Sequence, residues 1–185
     1  MRIIAGEYRG RQLKSPKHEG VRPTADRVRE ALFNILGNRV CDAAFLDLFA
    51  GTGAVGIEAL SRGAKSAIFC DANHASIRLI QENSSFISGV DFQIMHLSAA
   101  DALRVFAAER LCFDLIFLDP PFQAGLLPDT LNAIVAGDLL QPDGILVVEH
   151  PRKMVLKTPA GLLLDKTRHY GDISLSFFLR IQSPA

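Results

Sequence analysis

Segment 45–56 carries the clearest chemical signal in the sequence, because an apolar run there ends in three closely spaced glycines. Gly51, Gly53 and Gly56 follow a predicted strand and open a predicted helix. Glycines at this spacing let the backbone approach a nucleotide, and the N-terminus of the following helix points toward the ligand. Many proteins share this pattern, so alone it predicts only a nucleotide-like ligand.

Asp47 indicates which ligand of that class would bind. It lies in an otherwise apolar strand, just before the glycines. A dinucleotide would bring an anionic pyrophosphate to this loop, where a nearby carboxylate costs energy, whereas S-adenosylmethionine brings a cationic amine and sulfonium. The sequence therefore favours S-adenosylmethionine over NAD, although Asp47 could instead serve only to cap the following turn.

Two more aspartates follow predicted strands at positions suited to an adenosyl group. Asp71 lies 20 residues after Gly51, the spacing at which an acidic residue accepts hydrogen bonds from ribose hydroxyls. Asp101 comes shortly after Ser98 at a predicted helix start, where its carboxylate could accept a hydrogen bond from an adenine amino group. Ser and Asp are also ordinary helix caps, so a structural role remains open at this position.

The turn Asp119-Pro-Pro-Phe122 suits a planar base with an exocyclic amine. Two consecutive prolines fix φ and remove two N–H donors, so the turn is rigid and presents only acceptors beside an aromatic ring. Asp119 and the Pro120 carbonyl would accept the two amine hydrogens, and Phe122 would stack on the ring. A purely structural turn would need neither the aspartate nor the ring.

Alternating strands and helices are expected to position these residues. The predicted strands are 45–49, 66–70, 92–95, 113–118 and 145–148, and the predicted helices lie near 54–62, 73–87, 99–108 and 128–136. Nearly all-apolar strands separated by helices indicate a doubly wound, Rossmann-like α/β domain whose mostly parallel sheet is covered on both faces. In such sheets ligands bind at the carboxyl ends of the strands, where all four aspartates fall.

The two ends of the chain depart from this alternation. Residues 2–14 contain short apolar runs broken by glycines, which predicts a small β-hairpin with a basic turn. A helix is predicted from Thr24, and its buried stripe comprises Val28, Ala31, Leu32, Ile35 and Leu36. Segments 161–168 and 172–181 have no helix between them, so they predict an antiparallel C-terminal hairpin at the sheet edge.

Size and composition are typical of a globular protein. The 185 residues suit a single domain, 1–185, and 49% are hydrophobic and 22% charged. No apolar run approaches the ~20 residues that cross a bilayer, and the start lacks a signal-peptide pattern, so we expect a cytoplasmic protein without a membrane partner. Cys41, Cys70 and Cys112 lack metal-site or disulfide spacing, so they predict small core residues and no metal.

The formal net charge of zero conceals a basic N-terminal region. Residues 1–40 hold 9 Lys and Arg against 4 Asp and Glu. Such a run is often only a solvated surface, but it also suits an appendage that binds phosphates. The candidate phosphate contacts are Arg9, Arg11, Lys14, Arg22 and Arg27.

Seven short motifs, spread nearly end to end, together resemble one family. They are Met1-Arg-Ile-Ile-Ala-Gly6, Arg9-Gly-Arg11, Arg22-Pro-Thr24, Asp26-Arg-Val-Arg-Glu-Ala-Leu-Phe-Asn34, Asp47-Leu-Phe-Ala-Gly-Thr-Gly53, Glu58-Ala-Leu-Ser-Arg-Gly63 and Asp119-Pro-Pro-Phe122. They are similar to those of the bacterial RsmD-type 16S ribosomal RNA guanine-N2 methyltransferases, which are class I S-adenosylmethionine-dependent enzymes. The stretch from Arg22 to Asn34 is the specific part, since many amino-methyltransferases share the glycine loop and the proline turn.

The resemblance implies transfer of a methyl group from S-adenosylmethionine to the exocyclic N2 of a guanine in 16S ribosomal RNA, within the small ribosomal subunit, by a monomer. Cofactor contacts are implied for Asp47, Phe49, Gly51, Gly53, Asp71, Ala72, Asp101 and Ala102. Target-base contacts and catalysis are implied for Asp119, Pro120 and Phe122. The basic N-terminal residues would then bind RNA.

Three alternatives remain open at this point. The short motifs alone also allow an N6-adenine methyltransferase that acts on DNA. A non-catalytic RNA-binding module could keep the same fold, although the intact Asp119 and Phe122 argue against it. An NAD-dependent oxidoreductase would share the glycine loop, but Asp47 argues against that class.

Overall fold

The computed structural model describes residues 1–16, 23–121 and 125–181, and it shows a seven-stranded sheet with helices on both faces. The strands are β1 (Ala44–Asp47), β2 (Ser66–Asp71), β3 (Asp91–His96), β4 (Phe113–Leu118), β5 (Leu140–Pro151), β6 (Leu162–Tyr170) and β7 (Ile173–Arg180). The helices are α1 (Pro23–Leu36), α2 (Ala54–Ser61), α3 (His74–Ser84), α4 (Ala99–Ala108) and α5 (Leu127–Ala136), with a short 3-10 helix at Gly37–Val40. The predicted Rossmann-like α/β fold is therefore confirmed.

The strand order places a binding edge at the centre of the sheet. The order is β3-β2-β1-β4-β5-β7-β6, with β1 to β5 parallel and β7 antiparallel to both of its neighbours. Strand β1 pairs with β2 on one side and with β4 on the other, so the order of the chain reverses there. Ligands of open α/β sheets bind outside the carboxyl ends of the strands at such a reversal.

Each face of the sheet has its own hydrophobic core. Along β1, Phe45 packs toward α1, α2 and α3, whereas Leu46 packs toward α4 and α5. Helix α2 lies directly on β2 because Gly56 has no side chain, and a Cβ there would come within 2.3 Å of the Phe69 ring. This close contact fixes the N-terminus of α2 at the carboxyl edge of the sheet.

Strand β5 and the N-terminal segment differ most in extent from the sequence expectation. Strand β5 begins at Leu140 rather than at 145, and an irregularity in its pairing with β4 accommodates the turn-forming residues 142–144. The predicted N-terminal hairpin forms, with one antiparallel bridge between Arg2 and Gln12 and three backbone hydrogen bonds between its arms. Further backbone groups of the arms bond to side chains of α2 and α3.

The cysteines are not uniformly buried. Cys70 lies in the core, Cys112 is half-buried, and Cys41 is exposed in the turn before β1. The core assignment was therefore wrong for Cys41, because this cysteine follows the 3-10 helix and precedes the first strand.

None of the described helices is long and apolar enough to cross a membrane.

Side-chain hydrogen bonds attach the N-terminal segment to α2 and α3. The Glu58 carboxylate accepts the backbone N–H of Ile4 at 2.8 Å and of Ala5 at 3.0 Å. The amide oxygen of Asn83 accepts the N–H of Lys14 at 2.7 Å, and its Nδ2 donates to the carbonyls of Lys14 and Thr52. Since Thr52 belongs to the glycine loop, Asn83 links the end of the basic segment to the predicted cofactor loop.

Candidate cofactor and catalytic site

A cavity of about 1140 Å³ opens at the carboxyl ends of β1, β2 and β4. It is lined by six of the residues predicted for cofactor binding or catalysis, namely Phe49, Gly51, Asp71, Ala72, Asp119 and Pro120. Ser98, Ala99, Ala100 and Leu103 at the start of α4 complete one wall. The structure therefore brings most of the predicted site together at the strand reversal.

The glycine loop turns sharply from β1 into α2. Gly51 and Gly53 have φ of +56° and +76°, a region that residues with a side chain rarely adopt. The N–H of Gly51 donates to Asp71 Oδ2 at 2.8 Å, while Asp71 Oδ1 accepts the N–H of Asn73 at 2.7 Å. Both Asp71 oxygens are thus held by backbone amides, which orients this carboxylate at the cavity wall.

Asp47 lies beneath the glycine loop rather than in the cavity wall. Its side chain is only 1% exposed, and Oδ2 accepts the N–H of Gly56 at 2.9 Å. Burial raises the pKa of Asp47 from 3.8 to about 7, and the charges of Asp119 and Asp71 add to the rise. The hydrogen bond is the capping role that the sequence also allowed, and the contact of Asp47 with the cofactor amine stays a prediction.

Asp119 and Pro120 follow β4 directly and line the same cavity as Gly51 of the glycine loop. Asp119 is exposed to the open cavity, yet the surrounding protein removes enough water to raise the pKa of its carboxyl. Pro120 is buried. Because its ring restricts φ, Pro120 also fixes the direction of the chain as it leaves the strand. Phe122, the third predicted catalytic residue, lies outside the described residues.

Glu149 was missed in the sequence and lies beside Asp119. Leu118 of β4 pairs with Val148 of β5, so the next residues along these parallel strands are Asp119 and Glu149. Burial raises the pKa of Glu149, and the charge of Asp119 raises it further. Glu149 could have been found from its position, because it directly follows the apolar run 145–148. Asp119 was identified from the same kind of position after a predicted strand.

Asp101 and Ala102 are not among the described residues that line the cavity. Ser98 Oγ donates to Asp101 Oδ2 at 2.6 Å and accepts the Asp101 N–H at 3.1 Å, which forms a helix cap. Asp101 Oδ1 also pairs with Arg104 at 2.6 Å, and Ala102 is buried in the core. An adenine contact from Asp101 stays a prediction, and it would require this exposed ion pair to rearrange.

The charges of the cavity suit a cationic ligand. Its described lining includes Asp71, Asp119 and Asp129 but no Lys or Arg. A carboxylate whose pKa is raised by desolvation, with no cation nearby to offset the rise, gains most from a ligand that supplies a positive charge. The amine and sulfonium of S-adenosylmethionine fit this requirement, whereas the pyrophosphate of a dinucleotide would add like charge.

The candidate RNA contacts lie on the N-terminal segment and α1. Arg9 and Arg27 are exposed and line a groove of about 560 Å³ together with Arg2 and Arg62. The Arg11 guanidinium lies 3.8 Å from the centre of the Phe86 ring. Lys14 pairs with Glu82 at 3.0 Å, and Arg22 lies outside the described residues.

Comparison with known proteins assigns the family. The model of the family described as conserved hypothetical protein 95 matches residues 1–179. The Ribosomal RNA small subunit methyltransferase D of Escherichia coli is 35% identical over 181 residues, which cover 97% of this chain and 90% of that protein. YlbH of Bacillus subtilis is 37% identical over 180 residues, with 96% and 98% covered.

A solved structure shows the same fold along almost the whole chain. The yhhF protein from Escherichia coli superposes with a TM-score of 0.83 at 34% sequence identity, with 97% of both chains covered. Sequence and structure therefore agree along almost the whole chain. The chain belongs to the conserved hypothetical protein 95 family and is an RsmD-type, S-adenosylmethionine-dependent methyltransferase.

Proposed function

We propose that this protein transfers a methyl group from S-adenosylmethionine to the exocyclic N2 of a guanine in 16S ribosomal RNA of the small ribosomal subunit. The observation that carries this proposal is the large cavity, which joins the glycine loop to Asp119 and Pro120. No Lys or Arg is among its described lining residues. The name of the Escherichia coli relative supports ribosomal RNA of the small subunit as the substrate. Such a substrate implies that the protein acts in the cytoplasm.

The cofactor would lie along the carboxyl edge of β1 and β2. S-adenosylmethionine would supply an electrophilic methyl group on a sulfonium. Gly51 lines the cavity and leaves room for it beside the loop, and the Asp47 carboxylate beneath the loop attracts its amine. Asp71, oriented by its two backbone hydrogen bonds, retains lone pairs that can accept from ribose hydroxyls.

Asp119 and Pro120 would orient the target amine. Its nitrogen lone pair is delocalised into the guanine ring, so acceptors on both N–H groups bias the nitrogen toward tetrahedral geometry and aim it at the methyl group. A carbon–nitrogen bond forms as the carbon–sulfur bond breaks, and positive charge develops on nitrogen. The Asp119 carboxylate stabilises this charge, and the proton then passes to Asp119 or to solvent.

Glu149 would limit the negative charge beside the target amine. Burial raises the pKa of both carboxyls, and two adjacent carboxyls resist ionising together. The pair therefore resists carrying two negative charges next to the amine that becomes positive.

The target base would have to leave its stack to reach the cavity, and Phe122 would replace part of the lost stacking. The N-terminal segment and α1 would hold the surrounding RNA through phosphate contacts from Arg9, Arg11, Lys14, Arg22 and Arg27. We propose that residues 1–40 form this RNA-binding appendage within a single domain, 1–185, that acts as a monomer.

One experiment tests the proposal directly. Purified protein and tritiated S-adenosylmethionine are incubated in parallel with unmethylated small subunits, deproteinised 16S RNA and DNA. Methylated nucleosides are then identified by digestion and chromatography. We expect label in N2-methylguanosine from an RNA arm, and calorimetry should show cofactor binding without RNA.

Each other outcome identifies a specific alternative. Label in N6-methyladenine of DNA would assign the protein to the adenine methyltransferases. Cofactor and RNA binding without transfer to any substrate would favour a non-catalytic RNA-binding module. Binding of NAD instead of S-adenosylmethionine would contradict the electrostatic argument from Asp47.

A further inference from the structure

A second, smaller cavity adjoins the proposed catalytic site. It has a volume of about 370 Å³ and shares Pro120, Pro121 and Leu126 with the large cavity. Its outer wall is the loop after β5, through Met154 and Val155 among others. At the small end of the ~300–1000 Å³ range of ligand pockets, it has the dimensions for one planar group.

The loop that forms this wall, residues 152–157, places three apolar side chains between cationic ones. Arg152, Lys153 and Lys157 are exposed, and none of them forms an ion pair with a described residue. Val155, which lies between them, is 89% exposed. Free cations around an exposed apolar surface match a nucleotide, whose base packs on the apolar part while its phosphate meets the cations.

The target guanine itself does not suit this second cavity. The proposed reaction needs acceptors for the exocyclic amine, and the described lining of the second cavity contains no carboxylate. Asp119 lines only the large cavity, together with the glycine loop. The reacting guanine therefore belongs in the large cavity and not in the second one.

We propose that the second cavity and the loop 152–157 hold a nucleotide that flanks the methylated guanine in the same RNA strand. Its base packs against Pro121, Met154 and Val155, and its phosphates meet Arg152, Lys153 and Lys157. The inference rests on the proposed function, since an RNA strand must enter the large cavity. The shared wall at Pro120 and Pro121 connects the two bases, so the loop contributes to substrate selection beside the reacting group.

Kinetics of two matched variants test the inference. Val155→Asp places a charge in the cavity wall, while Leu163→Asp changes a 56% exposed leucine that pairs with Leu179 at the opposite end of the sheet. Losing the contribution of one packed base corresponds to roughly a 10-fold rise in KM for 16S RNA. We expect that rise for Val155→Asp only, with kcat and S-adenosylmethionine affinity within about two-fold of the parent.

Photocross-linking identifies the occupant. A photoreactive benzoylphenylalanine at position 155 should cross-link a nucleotide within one or two positions of the methylated guanine, as mapped by primer extension. The same group at position 163 should not label that region. A cross-link to a distant nucleotide or to a ribosomal protein would overturn the inference.

Parallel assays of the parent separate the two proposals. If the parent methylates 16S RNA while Val155→Asp keeps the parental KM, the inference fails and the proposed function stands. If the parent methylates no RNA, both proposals fail. A loss of kcat without a change in KM would also overturn the inference, because it would place Val155 in the chemical step rather than in binding.

Discussion

Carboxylates in two regions of this protein are shielded from bulk water, and the two regions compensate the negative charges differently. Where the N-terminal segment meets α2, the fully buried Glu58 accepts two backbone N–H groups and lies 2.8 Å from Arg62 and 3.6 Å from Arg29. At the carboxyl edge of the sheet, Asp47 and Asp119 have no Lys or Arg within salt-bridge distance among the described residues.

The difference separates a structural region from a binding region. A buried charge with a full set of donors is compensated within the protein, so its removal disturbs the fold. A carboxylate that burial leaves without cations has a raised pKa, as for Asp47 and Asp119, and such groups concentrate at functional sites. Loss of a carboxylate should therefore destabilise the protein in the first region and impair binding or catalysis in the second.

Glu58→Ala should give the largest effect, on stability. The substitution leaves Arg29, which is only 4% exposed, without its partner on α2, and frees the N–H groups of Ile4 and Ala5. Breaking a buried ion pair by removing one partner costs about 3–5 kcal/mol in the free energy of unfolding. Urea denaturation measures this loss. If Glu58→Ala does not fold, Glu58→Gln is measured in its place, and it should lose less stability than Glu58→Ala.

The matched control is Glu82→Ala, which breaks the exposed pair with Lys14. Exposed pairs contribute ~0–1 kcal/mol, so this variant should remain close to the parent in stability. Equal losses in the two variants would mean that the Glu58 network is not the anchor of the N-terminal segment.

Asp119→Ala should give the next largest effect, on rate rather than on stability. Removing one preorganised group that stabilises developing charge costs on the order of 100- to 1000-fold in rate. We expect a loss of that size in single-turnover methyl transfer, with S-adenosylmethionine affinity within a few-fold of the parent.

Asp129→Asn is the control for Asp119, because Asp129 lines the same cavity from the start of α5. If loss of cavity charge alone slowed transfer, the two variants would be similarly slow. Near-normal turnover of the Asp119→Ala variant would exclude Asp119 as the central catalytic residue.

Asp47→Asn should weaken S-adenosylmethionine binding by roughly 10- to 100-fold, the range for a lost charge-assisted hydrogen bond. The parent affinity should rise with pH as the carboxylate, with its pKa of about 7, becomes charged, whereas that of the variant should not. Calorimetry at pH 6 and pH 8 measures the S-adenosylmethionine affinity of the parent and of the variant. Equal affinity in parent and variant at pH 8 would contradict the proposed role of Asp47.

Asp47→Asn should also be more stable than the parent at pH 8, whereas Glu58→Ala should be less stable than the parent. Since the pKa of Asp47 is raised from 3.8 to about 7 on folding, the folded state binds more protons between these values. The parent therefore loses stability as pH rises through that window, and Asn avoids the loss. Asn also keeps an oxygen acceptor for the N–H of Gly56. A variant less stable than the parent at pH 8 would show that Asp47 is mainly structural.

The sequence predicted the carboxyl edge well, because its signals are local. The spacing of Gly51 and Gly53 and the position of Asp119 at a strand end depend only on neighbouring residues and the parallel topology. Glu149 was missed because its proximity to Asp119 depends on the register of β4 and β5, which are far apart in the sequence.

The anchor of the N-terminal segment could not be predicted for the same reason. Glu58 lies more than fifty residues from the amides of Ile4 and Ala5 that it binds. Within α2 its pattern shows only a carboxylate four residues before Arg62, which is typical of an exposed helix pair. Similarly, Ser98 and Asp101 were recognised as possible caps, but only the three-dimensional structure shows Asp101 paired with Arg104.

Replacing Arg9 and Arg11 together with Ala should give the smallest effect, and only on RNA. Both lie on the N-terminal segment, and neither lines the large cavity, so S-adenosylmethionine affinity should not change. Each lost phosphate contact should reduce the slope of log affinity against log salt by ~0.7–0.9. Arg39→Ala with Arg110→Ala removes equal charge elsewhere and should leave the slope unchanged. If the Arg9 and Arg11 variant keeps the parental slope, this segment only packs on α2 and α3, and the RNA surface lies elsewhere.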